Sequence, residues 1–147
     1  MKRFLGAALA AALFFLGLPA ARAVSTSASS AVLMEASTGR VLWAQNADQP
    51  RLIASVTKLM TALVALESGR GLDEQVTILE EDTRTEGSAL YLRPGESVKL
   101  ETLLYGLLLN SGNDAALAVA RFCGGSVEAF VGEMNRKAQA LGMENTR

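Results

Sequence analysis

The sequence predicts a mixed α/β (α+β) fold in which an N-terminal β-hairpin leads into a mostly helical body. Three observations carry that expectation. Two short apolar runs, Ala31–Met34 and Val41–Ala44, flank the turn signal Ser37-Thr38-Gly39-Arg40, which is the pattern of a hairpin with a glycine-containing loop. Val56, Leu59, Met60, Leu63, Val64 and Leu66 then recur at helical spacing. Leu100 to Leu109 is a second apolar stretch of helical length.

The elements follow in chain order. Lys2 and Arg3 precede an apolar run from Phe4 to Leu18, closed by Pro19 and by Ala21-Arg22-Ala23. A positive start, an apolar centre and an A-x-A site are the marks of a secretory signal peptide, expected over residues 1–23. The run is about 15 residues, short of the roughly 20 that a spanning helix needs. Val24 to Ser30 is rich in Ser and Ala and reads as a flexible leader. After the hairpin, the pattern from Ser55 is apolar on more than one side, which predicts a buried central helix. Ser68-Gly69-Arg70-Gly71 closes it. Gln75–Ile78 suits a short strand, and Glu80–Glu86 reads as an acidic, solvated loop. Pro94-Gly95 marks a turn before the Leu100–Leu109 helix, which ends at Asn110-Ser111-Gly112-Asn113. Asn113 or Asp114 is placed to cap a further helix through Phe122. Gly124-Gly125 breaks that pattern, and Ser126–Leu141 reads as an amphipathic helix with Val127, Phe130, Val131 and Met134 inward.

Composition narrows the chemistry. The chain has 147 residues, 50% hydrophobic and 20% charged, which is globular and allows one domain or part of one. Removing Lys2, Arg3 and Arg22 with the signal takes the 14 basic residues to 11, against 15 acidic. A mildly acidic surface argues against nucleic acid as a partner, and no basic run or membrane anchor stands in the expected mature part. Cys123 is the only cysteine, so no internal disulfide forms, and it reads as a small core residue. The chain contains no histidine. That excludes Ser-His-Asp triads and the usual zinc sites, and a nucleophile here needs another base. No metal and no cofactor is expected.

Two motifs supply one. Ser55-Val56-Thr57-Lys58 is an S-x-x-K at the start of the first long helix. Residues three apart share a helix face, so the hydroxyl and the amine can meet. A serine there also lies among backbone N–H groups free to bind a developing oxyanion. A lysine serves as base only when uncharged, and burial disfavours the charged form. Ser111-Gly112-Asn113 is an S-x-N in a turn between two helices. A second serine there can relay protons, and the asparagine amide can hold a substrate amide with both donor and acceptor. Taken singly, the first motif reads more readily as a capping serine with a solvated lysine, and the second as an ordinary loop with capping residues.

S-x-x-K followed by S-x-N is a signature of penicillin-binding proteins and class A β-lactamases, whose third element is K-T-G. Ala54–Thr61 closely resembles the nucleophile motif of the low-molecular-weight serine D-alanyl-D-alanine carboxypeptidases of the S11 peptidase type. So do Thr38-Gly39 with Val41-Leu42, Leu90–Glu96, Leu108–Ala116 and Leu141–Thr146. The resemblance runs from Ala31 to Arg147. It implies a β-lactamase/transpeptidase-like sandwich, of which this chain holds the first hairpin and the mostly helical subdomain. It implies an exported enzyme of the periplasm, or of the outer face of the cytoplasmic membrane and the cell wall, that removes the terminal D-alanine from peptidoglycan stem peptides ending in D-Ala-D-Ala. In that scheme Ser55 is the acyl nucleophile and Lys58 its base. Ser111 relays protons, Asn113 binds the substrate backbone, and β-lactams inhibit by acylating Ser55.

The resemblance has a gap. The lysines are Lys2, Lys58, Lys99 and Lys137, and none begins a K-T-G. In the family that motif binds the substrate carboxylate and completes the oxyanion hole. Residues 24–147 therefore read as the N-terminal part of the catalytic domain, expected to be inefficient alone and to carry an open sheet edge. Two alternatives stay open: a class A β-lactamase, although Gly112 stands where that class usually has Asp, and a non-catalytic wall-binding module.

Overall fold

The computed structural model describes residues 24–146. The expected signal peptide lies outside the described residues. The chain forms two compact units, divided between Gln49 and Pro50.

In the first unit, β1 (Ala31–Met34) and β2 (Val41–Gln45) form an antiparallel pair, as the sequence predicts. Ala31 faces Gln45, Val32 faces Ala44 and Leu33 faces Trp43; the register then slips so that Met34 faces Val41. Gly39 takes φ +71° in the connecting loop, a backbone state a Cβ would oppose. The Ala28 and Ser29 carbonyls accept from Gln45 Nε2 (2.7 Å) and Asn46 Nδ2 (2.9 Å), so the expected leader is tied along the hairpin's end. Val32, Leu33, Met34, Val41 and Leu42 are all exposed, on both faces of the ribbon.

The second unit is a helical body with a small antiparallel pair. Its helices are α1 (Thr57–Glu67), α2 (Leu100–Leu109), α3 (Asn113–Gly124) and α4 (Val127–Ala140). β3 (Gln75–Thr77) pairs with β4 (Ser97–Lys99), Val76 opposite Val98. The Ser97–Lys99 strand has no counterpart in the sequence expectation, because three residues with one apolar position carry no period. The core joins Val64 and Ala65 of α1, Val76 and Ile78, Leu100, Leu103 and Leu107 of α2, Ala115, Ala118 and Val119 of α3, and Phe130 of α4. Burying each large side chain is worth about 1.5–3 kcal/mol.

Four expectations are corrected here. The central helix is α3, which packs against α1, α2, α4 and β3. Its alanines allow close approach on several sides, whereas α1 leaves Leu59 and Leu66 in solvent. The Glu80–Glu86 stretch is not simply a solvated loop: Glu80–Thr83 is a 3-10 turn, and Asp82 is fully buried. The cap of α3 is Gly112, with Asn113 and Asp114 already inside the first turn. In α4, Phe130 is buried and Val127 and Met134 lean on the core, but Val131 is exposed. Ser126 caps α4 by accepting from the Ala129 N–H at 3.1 Å.

Asp82 is held by Arg121. The guanidinium donates Nε to Oδ1 (2.9 Å) and Nη2 to Oδ2 (2.6 Å), and Nη2 also reaches the Thr77 carbonyl at 2.8 Å. The Leu79 N–H donates to the same carboxylate at 2.8 Å. That hydrogen bond from Arg121 to Asp82 is the main cause holding the guanidinium above its ordinary value, against burial, which lowers it.

Candidate active site

The S-x-x-K motif straddles two elements. Ser55 lies in a 3-10 turn (Ala54–Val56) that feeds into α1, and Lys58 is in the first turn of α1. Ala54, immediately before the serine, takes φ +46°, and Ser111 takes φ +57°. A left-handed backbone is disfavoured for residues with a Cβ, and such strain gathers at functional sites. The turn's first hydrogen bond runs from the Val56 N–H to the Ile53 carbonyl at 3.1 Å. The Ser55 N–H therefore precedes the bonded turn, where a helix start leaves its donors free.

All four residues singled out in the sequence meet in one cluster of the helical unit. Lys58 Nζ donates to Ser111 Oγ (3.0 Å), to Asn113 Oδ1 (2.6 Å) and, more weakly, to Ser55 Oγ (3.4 Å). Ser111 Oγ lies 2.8 Å from Ser55 Oγ. Lys58 is only 9% exposed, while Ser55 is open to solvent. Among the described residues no carboxylate forms an ion pair with Lys58; its partners are neutral oxygens. The two hydroxyls and the amine thus form a closed triangle with the nucleophilic candidate at the exposed corner.

The partners fix how Asn113 points. Lys58 donates an N–H to this amide, so the amide atom facing it is the oxygen. The other end, Nδ2, donates to the Glu86 carbonyl at 2.5 Å. One Nδ2 proton remains for a carbonyl arriving from solvent.

The sequence reading missed the carboxylate next to this residue and the segment it anchors. Asp114, 2% exposed, turns its carboxylate to the Leu90 N–H (2.9 and 3.0 Å), the Leu92 N–H (3.1 Å) and the Ala115 N–H (2.8 Å). An acidic residue in the first turn of a helix signals capping, and nothing local reveals partners more than twenty residues back. Gly112 and Gly106 have a steric reason: Leu90 packs so close that a Cβ at Gly112 would lie 2.9 Å from Leu90 Cγ, and one at Gly106 would overlap its Cδ1.

Cys123 is half-buried, not a full core residue. Burial is the main cause pushing its thiol up, opposed by a hydrogen bond with Ser68.

A serine hydroxyl, a lysine amine and a second hydroxyl in mutual reach, with no histidine, form the constellation of lysine-assisted serine hydrolases. Residues 19–147 match the Peptidase S11 family, D-alanyl-D-alanine carboxypeptidase, and the chain belongs to that family. It is 42% identical to the D-alanyl-D-alanine carboxypeptidase DacF of Bacillus subtilis, over 81% of this chain and 32% of the relative. It is 40% identical to DacA of Escherichia coli K12, again over 81% of this chain and 32% of the relative. Among solved structures it is similar to penicillin binding protein 5 of Haemophilus influenzae (34% identity, TM-score 0.81, 86% of this chain and 39% of that one). It is also similar to the carboxypeptidase DacD of Francisella tularensis (34% identity, TM-score 0.80, 91% and 34%). The mixed α/β fold expected from the sequence is that of these neighbours. The chain spans about a third of the length of the curated relatives DacF and DacA.

Proposed function

We propose that the protein carrying this chain is a serine D-alanyl-D-alanine carboxypeptidase of the cell wall, exported to act outside the cytoplasm, with Ser55 as its nucleophile. The observation that carries this is the Ser55–Lys58–Ser111 triangle with the Asn113 amide beside it. The family and its named relatives supply the substrate class: a peptidoglycan stem peptide ending in D-Ala-D-Ala.

The distances favour a route for the proton. Ser55 Oγ is 2.8 Å from Ser111 Oγ but 3.4 Å from Lys58 Nζ, and Ser111 is 3.0 Å from that amine. Hydroxyls rotate freely between donating and accepting. In this route Ser55 passes its proton to Ser111 as Ser111 passes its own to the Lys58 amine, a step that requires the amine form of the base. Ser55 Oγ then bonds to the carbonyl carbon between the two D-alanines, and the Ser55 N–H is the donor assigned to the resulting oxyanion. The C–N bond breaks as the proton returns along the same path to the leaving amine. Terminal D-alanine departs and Ser55 keeps the acyl group. Water adds to that ester, giving a new carboxylate and restoring the Ser55 hydroxyl. Asn113 offers its spare Nδ2 proton to the peptide backbone. A β-lactam enters the same steps and stops as the acyl-enzyme.

The β-lactamase alternative is disfavoured by Leu90, which crowds the space a side chain at position 112 would need. The test is acylation by a fluorescent penicillin together with D-alanine release from a D-Ala-D-Ala peptide. Labelling is expected in the wild type and absent in Ser55→Ala. Lys58→Ala should lower it by about 10²–10⁴-fold, the usual contribution of a general base. Labelling that survives in Ser55→Ala, or rapid turnover of a chromogenic β-lactam, would overturn the proposal.

A further inference from the structure

We infer that Asp114 is a positioning residue for this site, acting through the Glu86–Leu92 segment; the inference rests on the function proposed above. The segment is fastened at every second residue to two adjacent residues at the start of α3. Asn113 takes the Glu86 carbonyl with its side chain (2.5 Å) and the Ser88 carbonyl with its backbone N–H (2.8 Å). Asp114 takes the N–H groups of Leu90 and Leu92. Between those two, Tyr91 sits at φ +59° with its ring in solvent. That backbone state is disfavoured for a residue with a Cβ, and the bonds on either side of Tyr91 hold it there.

The chemistry of Asp114 is not that of a helix cap. Only one of its hydrogen bonds, to Ala115, serves its own helix; the others leave for the segment. Among the described residues no cation pairs with it, although it is almost wholly buried. Buried carboxylates ordinarily have ionic partners; here backbone N–H dipoles and the helix start take that role. The Leu90 side chain is seated against Gly106 and Gly112, so the anchored end of the segment abuts the S-x-N turn itself. The consequence reaches the chemistry in two bonds. With Leu90 and Leu92 anchored, the Glu86 carbonyl stays on Asn113 Nδ2, and Asn113 Oδ1 stays on Lys58. If Asp114 released the segment, the amide would lose its outer partner and rotate away from the amine.

The experiment compares Asp114→Ala and Asp114→Asn with Asp82→Asn in the full protein carrying these residues. Asp82→Asn breaks a buried pair at the Glu80–Thr83 turn and serves as a purely destabilising control. The readouts are the melting temperature, the acylation rate with a fluorescent penicillin well below it, and hydrogen exchange of the Asn113 side-chain amide by NMR. Asp114→Ala should slow acylation by about 10–100-fold, the scale of a small misplacement of reacting groups, and speed Asn113 side-chain exchange at least about tenfold. Asp114→Asn, which keeps one acceptor oxygen, should show a smaller loss. Asp82→Asn should lower the melting temperature and leave both site readouts within about threefold of wild type. Wild-type acylation and exchange in Asp114→Ala would overturn the inference, as would an equal acylation loss in Asp82→Asn. An unlabelled wild type would instead sink the proposed function, and the Asn113 exchange readout would still judge Asp114.

Discussion

Asp82 and Asp114 are both buried carboxylates in the first turn of a helical element, and the molecule uses them in opposite ways. Asp82 meets a two-point guanidinium from α3 and so ties the 3-10 turn and the end of β3 to the central helix. Asp114 meets backbone N–H groups, most of them from one distant segment, and so sets that segment's path past the S-x-N turn. The contrast teaches that burial of a charge does not by itself reveal its purpose; the identity of the partner does. An ion pair between core elements serves stability, while a carboxylate that collects the amides of one segment dictates where that segment runs.

The first way to break the comparison is Arg121→Ala, which leaves Asp82 buried without its cation. Losing one member of a buried pair costs about 3–5 kcal/mol. The low end is expected because the Arg121 side chain is 18% exposed. Urea unfolding should show it, with penicillin acylation per folded molecule unchanged. The guanidinium is held above its ordinary value, so its share of stability is fully present below that value and lost only as pH rises through the folded one. The pair should therefore show no alkaline weakness at neutral or mildly basic pH.

Asp114→Ala comes next in stability and should invert the pattern. It leaves backbone N–H groups unpaired, about 1–3 kcal/mol, yet the acylation loss should exceed anything Arg121→Ala causes. Ser126→Ala, remote from both carboxylates, gives a baseline: loss of one helix cap, about 1 kcal/mol, with no effect on acylation. The smallest effect is at Cys123. Burial raises the thiol above its ordinary value of 9.0, so the fold favours the protonated form. Its small contribution is fully present below that value and fades as pH rises through the folded one. Alkylation of Cys123 in the native protein at pH 8 should be slower than in urea; equal rates would contradict the burial argument.

Much of this was legible in advance because it is local. The hairpin, the four helices of the body and the Gln75–Thr77 strand follow from apolar period and glycine punctuation. Ser55, Lys58, Ser111 and Asn113 stand out because two short motifs in a chain without histidine point to one chemistry, and the structure brings all four together. What escaped was pairwise and distant. Glu80–Glu86 looks solvated because its charges are visible and Arg121, 39 residues on from Asp82, is not. Val131 fits an apolar stripe yet faces water, since period gives a helix face but not how widely its neighbours cover it.

The residue order by itself pointed to the hairpin, the four helices and the Gln75–Thr77 strand, and to Ser55 and Lys58 as candidate nucleophile and base, since spacing along a helix puts residues three apart on one face. Only the tertiary structure decided that α3 is the central helix, that Ser111 Oγ lies nearer to Ser55 Oγ than Lys58 Nζ does, and that Asp114 reaches back to Leu90 and Leu92. Those depend on which surfaces meet after the chain has closed on itself. Hydrogen bonds between segments far apart in sequence leave no periodic trace in either one.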